Sequence, residues 1–156
     1  MCCGLLSNQY LRHIENKKRA ETLEEFIEKS PQWHGGTTYR GMALSDSELK
    51  DVMNSLSNGT FDNKGTASWS TSELIAKGFS SDNMGKASTT YKGEMRNNRV
   101  VLKLSEHKHA TSIKHLSRYS FEQEVVASKR CRYRLVKRQE RVIDGDKYIY
   151  IEVEAM

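Results

Sequence analysis

Glu122 and Glu124 stand two residues apart at the head of a β-branched run, Tyr119-Ser120-Phe121-Glu122-Gln123-Glu124-Val125-Val126. Side chains alternate along a strand, so the two carboxylates point to one face and Gln123 and Val125 to the other. Paired carboxylates entering a cleft from a sheet are a usual means of handling a glycosidic bond, whose cleavage builds positive charge at the anomeric carbon. Two other segments place polar chemistry at strand positions: Tyr39-Arg40-Gly41 and Ser70-Thr71-Ser72. Each alone is ordinary. An Arg between Tyr and Gly reads as a surface cation, Ser-Thr-Ser as a cap, and Glu-x-Glu as a solvated strand face. Their conjunction is informative, with thirty residues from Arg40 to Ser70 and fifty-four from Ser70 to Glu124.

The elements that must position these residues are legible in outline. Residues 5–29 read as helical, with Leu23, Phe26 and Ile27 as an apolar stripe and Thr22 with Glu25 as a capping box. Pro31 and Gly35-Gly36 interrupt the chain, and Thr37–Arg40 is a short strand candidate. Ser45 and Glu48 form a second capping box before Leu49, Val52, Met53 and Leu56, whose spacing predicts an amphipathic helix closed by Asn58-Gly59. Ala67–Thr71 reads as a strand. Ser72 caps a short helix expected to stop at Gly78. Residues 80–98 read as a mobile loop, Val100–Leu104 as a buried strand, and 105–120 as loop or short helix. Glu122–Ala127 and Arg132–Ile143 are strands, and Asp144-Gly145-Asp146 is a hairpin turn. The last strand alternates Ile149, Ile151 and Val153 with Tyr148, Tyr150 and Glu152, a half-buried pattern. Helices early and strands late make the class α+β.

The chain has 156 residues, enough for one domain with a real core, and 29% of them are charged. We expect a single domain over 1–156, with 1–35 a helical segment and 36–156 the catalytic core. No run approaches a membrane span and no secretory signal is visible, so the expected location is a cytoplasm, that of the producing or of the target cell. Cys2, Cys3 and Cys131 suit neither a disulfide framework nor a zinc site and read as reduced thiols. His34, His107, His109 and His115 match no zinc spacing, so no metal is expected. Net charge is +5, concentrated in Lys129, Arg130, Arg132, Arg134, Lys137, Arg138 and Arg141. Such a segment suits a phosphate backbone, an acidic protein surface, or a strand edge guarded by charge.

In order and type, Arg40, Ser70-Thr71-Ser72 and Glu122-x-Glu124 resemble the arginine, serine and glutamate signature of the mono-ADP-ribosyltransferases, among them bacterial toxins and phage-encoded enzymes. The loop pattern of an aromatic, two positions, Glu, one position and Glu is met by Tyr119, Glu122 and Glu124. The resemblance runs from about Gly36 to the C-terminus. It implies two roughly perpendicular antiparallel sheets around an NAD cleft with flanking helices, and NAD as substrate. By the same resemblance, Glu124 is the catalytic glutamate and Ser70 orients it. Thr71 and Ser72 support the nicotinamide pocket. Arg40 binds the NAD phosphates, the Gly41 backbone the carboxamide, and Phe79 stacks or joins the core. Tyr119 and Phe121 belong to the acceptor-recognition loop.

Glu122 is implied to direct transfer to an arginine, because a guanidinium stays charged up to a pKa above about 12 and a carboxylate can pair with it and take its proton. The expectation is transfer of ADP-ribose from NAD to an arginine of a target protein. The alternatives are an RNA or DNA acceptor and a non-catalytic NAD-binding module. An antitoxin or immunity protein is an expected partner, and a membrane is not.

Overall fold

A computed structural model describes residues 22–62, 67–112 and 124–156. Tyr119, Phe121, Glu122 and His115 lie outside the described residues. A helix over 22–29, α1, leads to β1 (Thr38–Leu44) and α2 (Asp46–Ser57). β2 (Phe61–Asp62) and β3 (Ala67–Ser70) precede α3 (Glu73–Asp82). Then come β4 (Asn98–Leu104), β5 (Ala110–Ser112), β6 (Glu124–Ala127), β7 (Arg132–Ile143) and β8 (Asp146–Ala155). The class is α+β, as the order of elements predicts.

The strands bond side by side into one sheet in the order β2-β7-β8-β4-β1-β3-β6-β5. Two separate sheets were expected; the described strands instead form one continuous ladder, because β1 still meets β3 at Tyr39↔Ser70. That joint is a single register pair, whereas β1 and β4 share seven. The pairing is also not wholly antiparallel. β8 inserts between β7 and β4 and runs parallel to β4, because the tight β7–β8 hairpin reverses the chain beside a strand that already has its direction. The hairpin turn has Asp144 at φ 52° and Gly145 at φ 83°, the left-handed pair of a two-residue turn.

The Ser45–Glu48 box closes as predicted: the Glu48 N–H donates to Ser45 Oγ at 3.2 Å and the Ser45 N–H to Glu48 Oε1 at 3.0 Å. The stripe that follows turns Leu49 and Leu56 onto one sheet face, against Val100, Leu102, Ile149, Ile151 and Val153. Helix α3 covers the other face, where Ala76 packs with Val101, Tyr148 and Tyr150. This second layer corrects the half-buried reading of β8, since Tyr148 and Tyr150 are buried as well as the isoleucines.

Gly78 does not end α3. The helix runs on to Asp82 because its next turn buries Ser80 against the sheet, while the position of Gly78 opens onto empty space. Part of 105–120 is β5, paired with β6. Residues 83–97 are fastened down: Gly85 and Lys86 exchange backbone bonds with Arg96, Glu94 accepts from the Ser47 N–H at 3.0 Å, and Arg96 pairs with Glu48 at 3.1 Å. Among the described residues, no helix is long and apolar enough to cross a membrane.

Candidate active site

Strand pairing brings the distant signature segments together. Ser70 lies opposite Glu124 on one side and opposite Tyr39 on the other, so β6, β3 and β1 present these three on one sheet face. They border a cavity of about 420 Å³. β1 contributes Tyr39, Arg40 and Gly41; β3 contributes Ala67 to Ser70; α3 adds Ile75, Phe79 and its C-cap Asn83; β6 adds Glu124. The volume lies in the range of small-molecule sites.

Glu124 opens β6, half-exposed at the cavity wall. The Ser68 hydroxyl donates to Glu124 Oε1. Ser70 Oγ accepts the Ser72 N–H at 3.0 Å, and Ser72 Oγ accepts the Ile75 N–H at 3.3 Å. Ser68 bonds the carboxylate, Ser70 braces the turn leaving β3, and Ser72 caps α3, aiming Ile75 and Phe79 at the cavity. Thr71 lies within that turn, and neither it nor Ser72 is among the residues bordering the cavity.

Ser68 is the site residue that the sequence reading missed. Its signal was present: in Ala67-Ser68-Trp69-Ser70 the two serines share a face by alternation. Asn83 and Ile75 carried no such mark. Ser68→Ala is expected to cost Glu124 one hydrogen bond to a charged group, about tenfold in the rate of any reaction that this carboxylate serves. Ser70→Ala should lower the melting temperature, through the turn that its hydroxyl braces.

Arg40 is half-buried on β1 and lines the cavity. Burial pushes its guanidinium pKa down, and neighbouring Tyr133 opposes that shift. By register Arg40 lies opposite Leu102 and next to the row of Trp69, on the face away from Tyr39 and Gly41. Gly41 is where α3 touches the sheet: a Cβ there would lie 1.7 Å from the Ala76 carbonyl oxygen. Phe79 is 53% exposed at the cavity, an aromatic face open to a planar ring. The first turn of α3 is tied to β8 by the Tyr150 hydroxyl, which donates to Glu73 Oε1 at 2.6 Å. Burial and the Glu73 bond both raise the Tyr150 pKa.

Behind the site, Trp69 is 1% exposed and packs edge-on against His107, ring centroids 5.3 Å apart, and against Tyr133 at 5.5 Å. His107 lies in a loop, as expected, yet is buried, with Nε2 2.6 Å from Thr38 Oγ1. Burial pushes its pKa from 6.5 down to about 4. The folded chain therefore keeps a neutral imidazole while the unfolded chain takes up a proton below 6.5. His107 thus contributes stability that is complete above pH 6.5, falls as pH drops toward 4, and is constant below. The full loss is about 3 kcal/mol. Urea titrations of wild type and His107→Gln between about pH 7 and pH 4 should show the shallower pH dependence in the variant.

A family model described as ADP-ribosyltransferase exoenzyme matches residues 5–156. No curated protein matches. Among solved structures, the chain is similar to Vis, an ADP-ribosyltransferase toxin from Vibrio splendidus, in its complex with the M6 inhibitor. That match has a TM-score of 0.66 and 22% identity, covering 96% of this chain and 61% of that one. It is similar to Plx2a, an ADP-ribosyltransferase toxin from Paenibacillus larvae, with a TM-score of 0.58 and 16% identity over 89% and 70% of the two chains. It is also similar to exoenzyme S from Pseudomonas aeruginosa, solved with human 14-3-3 protein beta and carba-NAD, at a TM-score of 0.56 and 14% identity over 86% and 56%. These likenesses establish the fold. The chain spans about three-fifths of the length of the Vis chain.

Proposed function

Because the chain belongs to the ADP-ribosyltransferase exoenzyme family, we propose that it transfers ADP-ribose from NAD to an arginine side chain of a target protein and releases nicotinamide. The observation that carries this reading is the cavity itself. Its lining includes a serine-bonded carboxylate, Glu124, an open aromatic face, Phe79, and, from the strand position facing the other side of the sheet, Arg40. The bond from ribose C1′ to the nicotinamide nitrogen breaks, nicotinamide leaves neutral, and the positive charge left on the ribose is stabilised by the Glu124 carboxylate. Ser68 holds one carboxylate oxygen, which leaves the other for the ribose hydroxyl. Arg40 supplies positive charge toward the diphosphate, and Phe79 a stacking face.

A guanidinium nitrogen of the acceptor then bonds C1′ and releases its proton, to Glu122 in this reading. The arginine acceptor is supported by Glu122-x-Glu124 in the sequence and by the solved complex of Vis with agmatine, itself a guanidinium compound. A nucleic-acid acceptor is a second reading, favoured by the exposed cations of β7.

The test is incubation with labelled NAD and agmatine, and separately with a cell lysate divided between protease and nuclease treatment. Labelled agmatine, with lysate label removed by protease, is the expected result. Lysate label that survives protease and is lost to nuclease would install the second reading. No label and no nicotinamide release would leave a binding module.

A further inference from the structure

The sheet face that bears Glu124 continues into a patch that the transfer chemistry does not use. In the pairing registers Glu124 lies opposite Ser70, Ser70 opposite Tyr39, and Tyr39 opposite Lys103. Lys103 lies opposite Glu152, and Glu152 opposite Lys137. Register partners share a sheet face, so one row crosses from the carboxylate on β6 to β7. At about 4.8 Å per strand, Lys103 lies about 14 Å along this row and Lys137 about 24 Å. A groove of about 150 Å³ at the far end is lined by Lys103, Lys137, Gln139, Arg141, Tyr150 and Glu152.

The cations of this groove differ from their neighbours. Arg134 is bonded by Glu154, Arg138 and Lys147 share Glu140, and Arg130 pairs with Glu28. Among the described residues, no acid forms an ion pair with Lys103, Lys137 or Arg141. Arg141 lies over the Tyr150 ring at 4.3 Å, and Tyr150 is fastened to Glu73, so this guanidinium has a fixed seat. Tyr150 is 4% exposed beneath it, so the groove offers no open ring on which a nucleic-acid base could stack. Glu152 stands between the two lysines and works against a dense run of phosphates. Separate carboxylates meeting separate cations fit better.

We infer that this groove recognises an acidic stretch of the acceptor protein and thereby selects which arginine reaches Glu124. The inference rests on the protein-arginine reading above. An extended peptide rises about 3.3 Å per residue, so the matching carboxylates lie about four to seven residues from the modified arginine, or at that distance on a folded surface.

Three acceptors test it in the presence of labelled NAD: a peptide with one arginine and an Asp/Glu cluster at that spacing, its Asn/Gln counterpart, and agmatine. The acidic peptide should show a KM about tenfold lower than the amide peptide at low salt. Lys103→Glu combined with Lys137→Glu should abolish that preference while agmatine labelling and nicotinamide release stay at the wild-type level. Lys137→Glu alone, at an exposed position, should reduce the preference in part. Equal KM values for the two peptides, or a preference that survives the double substitution, would overturn the inference. In the lysate experiment above, label that survives protease and is lost to nuclease would overturn it too. If the wild type labels none of the three and releases no nicotinamide, the transferase reading itself fails. Nicotinamide release and agmatine labelling without a peptide preference sink the groove alone.

Discussion

Glu124→Gln is expected to reduce both transfer and NAD hydrolysis by about 10²–10³-fold, the scale of losing one preorganised electrostatic contact to a developing charge. The amide keeps the shape and can still accept from Ser68, so what is removed is the negative charge. That charge matters most when the ribose is most positive, so the loss should appear in kcat with KM for NAD little moved. Glu124 is half-exposed at the start of its strand, and the melting temperature should match wild type. Nicotinamide release read by chromatography settles both parts. A variant that keeps most of its activity would place the stabilising charge on another residue.

Gly41→Ala should have the largest effect on the fold. The added Cβ would lie 1.7 Å from the Ala76 carbonyl oxygen and 2.8 Å from both the Ala76 carbonyl carbon and the Ser80 nitrogen. All three are backbone atoms of α3, so no side chain can swing away and the helix must lift. The expected cost is about 3 kcal/mol or more, at the upper end for overpacking. Lifting α3 also withdraws Ile75 and Phe79 from the cavity, so any folded fraction should bind NAD weakly. Gly78→Ala is the contrasting control on the same helix. A Cβ there meets nothing within 4 Å, and the substitution should stabilise the chain by about 0.5–1 kcal/mol through helix propensity. Urea denaturation of the two variants, with opposite signs expected, checks whether close approach at Gly41 governs where α3 sits.

The signals read correctly from sequence are those whose physics is local. The Ser45–Glu48 box, the Leu49, Val52, Met53, Leu56 stripe and the Asp144-Gly145-Asp146 turn need only neighbours within a few residues, and each element stands where its pattern places it. Alternation is equally local, and it was enough to put the carboxylate of Glu124 on a defined strand face. The errors share one cause. Gly78 looked like a stop and Tyr148 and Tyr150 looked half-exposed because the layer formed by α3 is invisible to a window of ten residues. His107 lies in a loop, as expected, but its burial went unread because it comes from Trp69 and Thr38, far away in the chain.

The site divides along the same line. Residue types and order grouped Arg40, Ser70 and Glu124 through their resemblance to a family signature, and a cation, a hydroxyl and a carboxylate suit cleavage of a glycosidic bond in a substrate that carries a diphosphate. Which serine holds the carboxylate, which turn carries the others, and that Lys103 and Lys137 share a row with Glu124 were decided by strand register. Register is a property of pairing between distant segments. It is settled by which faces can be buried together when the sheet closes, and no single segment contains that information.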